Sequence, residues 1–583
     1  MKVYGPQIPI AVWADVQKYR QEGETFNQKC GRIAGALSDS EEHRDAFKAI
    51  LKDQRFLPGG RVQSAVGSVR RVTAFNCFVI GKVPDSLDGI ADYTKSAAKT
   101  MQLGGGVGYD FSAIRPKGSR VKSTQSDASG PLSFMQVFDA WCKTIMSAGM
   151  RRGAQMATLR VDHPDIMEFI TAKMNNHNLT QFNLSVLVTD KFMEAVKNDE
   201  GFNLVFDGRV YSTVRARSLW DSILRATWDW AEPGVIFIDR VNEMNNLYYV
   251  EEITATNPCG EQPLPPNGAC LLGSVNLVKY VESGGKKGWQ PYLFDWDQLH
   301  EDLPHIVRAM DNVIDETIYP LEEQAVEARS KRRMGLGITG LGNVLGALGI
   351  EYGSTQAQQF VSDVMQFMAN ECYLASAMLA KEKYPFPLFL KEEYLDSKFV
   401  QKLDKDVQQA IADYGIRNSH LISIAPTGTI SLTANNVSSG IEPVFSLEYE
   451  RTVQTPDGPQ IEKVEDYAWR EWGIKCKTAD QVTVEEHVAM LCAAQQWVDS
   501  ACSKTCNVGS EVTWEQFKDV YMQAYEGGAK GCTTFRADGK RFGILNASTS
   551  EDVVVEEDKP SDETVVEGGA CYIDPETGIR SCE

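Results

Sequence analysis

One stretch of the chain, Asn257-Pro258-Cys259-Gly260-Glu261, sets a thiol between a side-chain amide and a carboxylate. A second thiol, Cys270, follows eleven residues after Cys259, and the segment between them, GEQPLPPNGA, is rich in glycine and proline. Pro258 restricts its φ and Gly260 admits unusual φ, so the stretch reads as a constrained loop. In an extended loop residues two apart project to the same side, which predicts that Asn257, Cys259 and Glu261 converge. They then offer a sulfur reactant, a base and a hydrogen-bonding orienter. The competing readings are a buried structural cysteine, common for free thiols, and a zinc site. Zinc asks for four closely spaced nitrogen or sulfur ligands. No CxxC or nearby histidine accompanies the motif, so no metal is expected there.

Such a loop needs a rigid frame. From about residue 56 to 545 short β-branched runs alternate with longer helical patterns. FNCFVI, FNLSVLVT, FNLVF, GVIFID and HLISIA read as strands; PLSFMQVFDAWCKTIM and AQQFVSDVMQFMANECYLASAMLAKEKY read as helices. The alternation predicts an α/β domain with many parallel strands. Residues 1–55 read as a helical segment, in which SDSEEHRDAFKAILKDQRF opens on a Ser/Asp cap. Residues 546–583 change character. NASTSEDVVVEEDKPSDETVVEGGA holds eight acidic residues, one lysine and no aromatic, and reads as a flexible acidic linker. It leads to CYIDPETGIRSCE, where DPETG reads as a turn between Cys571 and Cys582.

The 583 residues are 43% hydrophobic and 24% charged, an ordinary globular mixture long enough for one oversized domain with appendages. A formal net charge of −20 disfavours nucleic acid and anionic membrane surfaces as partners. Phosphorylated small molecules remain open, since they need only a local N–H-rich or positive pocket. The N-terminus lacks a signal pattern, and no apolar run of about 18 residues is present. Thirteen scattered cysteines, an odd number, argue against a full disulfide framework and for reduced thiols in a cytoplasmic protein.

The NPCGE motif with its cysteine eleven residues on resembles the active-site loop of ribonucleotide reductases, specifically the adenosylcobalamin-dependent class II enzymes. FLPGG, FNCFVIGKVPDSLDGI, GGGVGYDFSAIRPKGS, SAGMRRGAQMATLRVDHPDIMEFI, RMGLGITGLGN, RNSHLISIAPTGTISLTANNVSSGIEPVF and GAKGCTTFR follow in the family's order, over roughly residues 55–540. The resemblance implies a ten-stranded α/β barrel of two five-stranded parallel halves, spanning residues 56–545, with a central finger loop carrying Cys259. It implies that Cys259 carries a transient thiyl radical, that Glu261 takes the 3′-hydroxyl proton, and that Asn257 binds the ribose hydroxyls. Cys77 and Cys270, 193 residues apart, match the dithiol that supplies the electrons. Cys571 and Cys582 match a tail pair that re-reduces it by thiol–disulfide exchange, with a thioredoxin- or glutaredoxin-like protein as the ultimate reductant. About 26 residues of linker span roughly 28 Å r.m.s.. The ten residues between the tail cysteines are more than is common in the family.

Pro426, Thr427, Gly428, Thr429, Ile430 and Ser431 read as a cradle for substrate phosphate. Asp85, Ser86, Arg115 and Lys117 match positions that meet a dNTP or ATP effector with Mg²⁺. Gly149, Met150, Arg151, Arg152, Gly153, Ala154 and Gln155 match the specificity loop, which implies a homodimer with coupled sites. The stretch GAKGCTTFR carries Thr533 and Thr534 where oxygen-dependent relatives have a tyrosine pair. With Gly428, this implies that adenosylcobalamin makes the radical on the spot. The alternative is a class I-like catalytic subunit served by a separate metal-bearing subunit. No ATP-binding regulatory module is expected before residue 55, and diphosphate substrates are favoured over triphosphates. The compact chain suits a bacterium, or a virus acting in its host's cytoplasm.

Overall fold

The computed structural model describes residues 4–121, 125–147, 151–174, 178–283, 292–455, 458–536, 571–573 and 580–582. Five parallel strands form one side-by-side run: Cys77–Lys82, Gly106–Asp110, Gln155–Arg160, Phe182–Val188 and Gly234–Phe237. Their interiors are buried almost throughout, as expected of parallel strands covered on both faces. At one edge Cys77–Lys82 pairs antiparallel with Ala269–Cys270. At the other, Gly234–Phe237 pairs antiparallel with Gly531–Arg536, which runs parallel to Thr505–Val508. A second group sets Leu272–Asn276 parallel to Gly335–Thr339, flanked by the short antiparallel strand Phe56–Pro58.

The run HLISIA differs from its reading as a strand. It pairs only through parallel bridges, Leu336 with Ile422 and Ile424 with Cys502. The reason is local: the buried Asp499 carboxylate, not a neighbouring backbone, accepts the Leu421 and Ile422 N–H groups at 2.7 and 3.1 Å. FNLVF is a strand, but in a hairpin of its own, Gly201–Phe206 with Arg209–Arg215.

Helices wrap both strand groups. Leu87–Gln102, Pro131–Thr144, Ala216–Trp230 and Trp514–Glu526 bury their apolar faces in one core with the five-stranded run. Trp296–Glu316 and the 29-residue helix Thr355–Lys383 belong to a second core with the Gly335–Thr339 group. The long helix starts where Ser354 accepts the Ala357 N–H, a side-chain cap. Three helices, Pro9–Tyr19, Phe26–Ala36 and Glu41–Lys52, occupy the N-terminal segment, the third capped by Ser40. No helix among the described residues is long and apolar enough to cross a membrane. Residues 537–570, with most of the expected linker, lie outside the described residues.

Candidate active site

The Asn257–Glu261 stretch is a tight turn rather than an extended loop. It joins the short antiparallel strands Ala255–Thr256 and Pro263–Leu264. Asn257 N–H donates to the Gln262 carbonyl at 3.1 Å, and Gly260, at φ +83°, donates to the Asn257 carbonyl at 3.1 Å. The Asn257 side chain organises the turn from within. Its Oδ1 accepts the Gly260 and Gln262 N–H groups at 3.1 and 3.0 Å, and its Nδ2 donates to Glu261 Oε1 at 2.8 Å. Asn257, Cys259 and Glu261 are all buried. They converge as expected, but the turn and the amide bring them together, not the alternation of an extended chain.

Neighbouring segments hold this turn from several sides. Asn183 Nδ2 donates to the Pro258 carbonyl at 2.9 Å. Ser423 Oγ and the Ala501 N–H both donate to the Glu261 carbonyl at 2.9 Å. A Cβ on Gly108 would overlap the Thr256 carbonyl, and one on Gly106 would sit 3.1 Å from Cys77 Sγ and 3.2 Å from Pro258 Cγ. Two glycines of GGGVGYD thus lie inside a strand and make room for the loop and for Cys77.

Cys77 and Cys270 face each other in register across adjacent antiparallel strands. Such opposed residues have Cα atoms about 4.5–5.5 Å apart, within the roughly 4.4–6.8 Å span of a disulfide. Both are buried free thiols. Burial pushes the Cys270 thiol well above its ordinary range, and the adjacent Glu261 and Cys77 push the same way. Cys259 is disulfide-bonded in this structure.

Two cavities open beside the site. One is lined by Asn76, Leu272, Ser274, Thr427, Gly428 and Thr429, so the phosphate-cradle residues lie next to the chain neighbours of Cys77 and Cys270. Thr427 holds a left-handed backbone, φ +55°, uncommon for a β-branched residue and a pointer to a functional constraint. It is followed by the short helix Gly428–Thr433. The Thr427 and Ser431 hydroxyls are engaged within the fold: Thr427 Oγ1 accepts the Gly440 N–H at 2.8 Å, and Ser431 Oγ lies 3.0 Å from Ser439 Oγ. Gly428, Thr429 and Ile430 line the cavity with Thr427, and Pro426 precedes them.

The second cavity lies beside Cys259 and is lined also by Gly260, Ser503, Lys504, Lys530 and Thr533. Lys504 is buried between Glu442, 2.5 Å away, and His487, 2.9 Å away. Burial acts to lower its pKa, but the neighbouring Glu442 holds it well above the ordinary lysine range. Thr534 is buried with its hydroxyl 3.1 Å from that of Tyr521.

The effector candidates gather at one edge. Arg115 Nε donates to Asp85 Oδ2 at 2.7 Å and its N–H to Asp85 Oδ1 at 3.2 Å. Ser86 caps the helix Leu87–Gln102. Lys117 turns toward Glu168, 3.2 Å away. In the specificity segment, Gly149 and Met150 lie outside the described residues, as do the side chains of Arg151 and Arg152. Gly153 packs near Met101 and Cys142, and Ala154 is buried. Gln155 is buried and accepts from the Tyr109 hydroxyl at 3.0 Å. Cys571 and Cys582 are register partners in the antiparallel pair Cys571–Ile573 and Arg580–Cys582; their side chains, and DPETG between them, lie outside the described residues.

Sequence reasoning missed Asn183, Ser423, Glu442, Asp499 and Lys530. Asn183, Ser423, Glu442 and Lys530 were visible only as members of longer motifs and Asp499 in none, because the partner of each lies far away along the chain.

Residues 75–535 match the family described as ribonucleotide reductase, barrel domain. The chain is 35% identical to the vitamin B12-dependent ribonucleoside-diphosphate reductase of Thermoplasma acidophilum, over 93% of this chain and 71% of that protein. It is 33% identical to a protein of the same description from Mycobacterium tuberculosis, over 96% and 80%. The vitamin B12-dependent ribonucleotide reductase of Streptomyces coelicolor is 27% identical over 92% and 63%.

Proposed function

The chain belongs to the ribonucleotide reductase family, and on that premise we propose that it reduces ribonucleoside diphosphates to 2′-deoxyribonucleotides by adenosylcobalamin-dependent radical chemistry. The observation that carries this reading is the single turn that presents Asn257, Cys259 and Glu261 beside the register-paired thiols Cys77 and Cys270. The diphosphate assignment follows the relatives, which are described as B12-dependent diphosphate reductases.

In this reading reduced Cys259, oxidised to a thiyl radical, removes the hydrogen from the ribose 3′ carbon. Glu261 accepts the 3′-hydroxyl proton, and the Asn257 amide orients both the carboxylate and the ribose. The 2′-hydroxyl leaves as water. Cys77 and Cys270 supply two electrons and two protons and close to a disulfide, and Cys259 then returns the hydrogen to the 3′ carbon. The buried, raised Cys270 thiol suits this, since it stays protonated until its hydrogen is needed. The Cys571–Cys582 pair is the proposed internal reductant.

Adenosylcobalamin would supply the carbon radical that oxidises Cys259. Gly260, Ser503, Gly531 and Thr533, which line the cavity beside Cys259, would meet the reactive end of that group. The ten-stranded barrel with a central finger loop is part of the same proposal. Its support is a chain of pairings. The five-stranded run connects through Gly531–Arg536, Thr505–Val508, the Cys502–Ile424 and Ile422–Leu336 bridges, Gly335–Thr339 and Leu272–Asn276 to Ala269–Cys270, which pairs back with Cys77–Lys82. Effector control at the Asp85–Arg115 edge, with dNTP or ATP and Mg²⁺, and a homodimer complete the reading.

The test is anaerobic turnover by the purified chain alone with adenosylcobalamin, dithiothreitol, Mg²⁺, CDP or CTP, and a dNTP mixture. Deoxycytidine product that requires cobalamin and vanishes in Cys259→Ala is expected. Product only on adding a metal-bearing partner subunit would overturn the cobalamin assignment. Truncation near residue 550 should spare turnover with dithiothreitol and abolish it with thioredoxin; equal loss with both would sink the tail's role.

A further inference from the structure

The cavity beside the cradle carries an electrostatic puzzle. A nucleoside diphosphate brings two or three negative charges to it at neutral pH, yet among the described residues none that lines this cavity is charged. Hydroxyls and backbone N–H groups can bind phosphate, but a nearby cation strengthens such binding considerably. The cation comes from an element that belongs to neither strand group, the N-terminal helix Pro9–Tyr19.

This helix lies against the cradle helix Gly428–Thr433 and is latched to it at both ends. At its start, Asn435 Oδ1 accepts the Gln7 N–H at 2.5 Å, and Asn435 Nδ2 donates to the Gly5 carbonyl at 3.2 Å. Asn435 itself takes a left-handed backbone just after the cradle helix, φ +67°. At the other end, Lys18 Nζ donates to Thr429 Oγ1 at 3.5 Å. The next residue, Tyr19, is buried and lines the cavity together with Gly428, Thr429 and Asn76. Asn76 Oδ1 is buried with no hydrogen-bond partner among the described residues, and it lies close to Gly59 on the cavity wall. The cavity therefore has an unsatisfied polar oxygen in its wall, and the hydroxyl of Thr429, one of its lining residues, meets an ammonium.

We propose that Lys18, carried by the N-terminal helix, is a substrate-binding residue that contacts the diphosphate held at Gly428–Ile430, and that the helix is in this way a working part of the active site. The proposal rests on the reductase reading for the identity of the ligand. Lys18 is half-buried, and the hydroxyl its ammonium meets belongs to Thr429, a residue of the proposed phosphate site. Lys18 plays no part in the radical steps, so its loss should act on binding.

The test compares the full-length wild type with Lys18→Ala and Lys18→Arg. For Lys18→Ala the KM for CDP should rise about tenfold with kcat within a factor of two, and Lys18→Arg should restore most of the KM. Calorimetric binding of CDP, measured alongside, should weaken by the same factor in Lys18→Ala and lose most of its salt dependence. An unchanged KM and CDP affinity in Lys18→Ala overturns the proposal, as does a fall in kcat and melting temperature with KM unchanged, which marks a purely structural helix. The two readings separate cleanly. If the wild type fails to turn over but binds CDP in a Lys18-dependent way, the reductase reading falls and the phosphate contact stands. If it turns over and binds CDP independently of Lys18, only the contact falls.

Discussion

Glu261 is the proposed base, and its hydrogen bond from Asn257 makes a sharp substitution possible. In Glu261→Gln the new amide oxygen can still accept from Asn257 Nδ2, which now donates to Glu261 Oε1 at 2.8 Å. The Ser423 and Ala501 donors to the residue's carbonyl are backbone-directed and are also kept. Only the basic oxygen is lost. Removing a positioned base typically costs 10²–10⁴-fold, so kcat should fall at least about hundredfold while CDP affinity and melting temperature hold. A kcat within tenfold of wild type would rule out Glu261 as the base. The sequence made this trio legible because its members fall within five consecutive residues that form one motif. The mechanism of their convergence was not legible. Asn257 serves both as an active-site amide and as the acceptor that closes the turn, and the second use depends on a conformation that residue types alone do not specify.

Elements, rather than residues, decide whether that turn stays in place. The segment around Asp499 is the clearest case. Its carboxylate is buried and accepts from the Leu421 and Ile422 N–H groups and from the Tyr373 hydroxyl at 2.7 Å. Two residues on, Ala501 N–H holds the Glu261 carbonyl. Lys530 Nζ donates to the Asp499 and Ser500 carbonyls at 2.5 and 2.6 Å, tying the same segment to the strand Gly531–Arg536. Ser500 Oγ donates to the same carboxylate at 3.1 Å, so Asp499→Ala would strand four buried donors, each worth about 1–3 kcal/mol when unpaired. A loss of about 3–5 kcal/mol in unfolding free energy is expected from urea denaturation, with kcat falling more than KM rises. A stability change under about 1 kcal/mol would show that the bridged segment is not held by this carboxylate. Most strands of the five-stranded run were legible from their β-branched runs, and the long helix Thr355–Lys383 from its periodicity. HLISIA keeps backbone partners on both sides but is reduced to isolated bridges where the Asp499 carboxylate takes the Leu421 and Ile422 N–H groups, an exchange invisible without the residue 77 positions from Ile422. GGGVGYD was legible as a glycine run, but its use, making room for Thr256 and Cys77, follows from which strand lies alongside.

At the scale of the whole molecule, the same burial that brings Cys77 and Cys270 together from 193 residues apart fixes the response to alkali. Burial raises the thiols of Cys30 and Cys492 to about 11 and those of Cys142 and Cys476 to about 12, from an unperturbed 9.0. Cys270 and Cys372 are pushed well above it for the same cause. Tyr109, Tyr280, Tyr373, Tyr394 and Tyr521 are likewise held well above 10.0 by burial. These groups stay protonated in the folded chain while the unfolded chain ionises. Between pH 9 and 11 the unfolded state therefore binds fewer protons, and stability must fall with rising pH. Their contribution is whole below about pH 9 and is lost as pH climbs toward the folded values. Lys530 works the other way: burial lowers it from 10.5 to about 8, so its release of a proton favours the folded state over part of this range. One lysine is outnumbered by six thiols and five tyrosines, and the net charge of −20 grows more negative over the same interval. The melting temperature should accordingly be level from pH 7 to 8.5 and drop steeply from pH 9 to 11. A level or rising profile across that upper range would mean that the buried thiols and phenols ionise within the fold, and that the interior around the site is far wetter than its packing indicates.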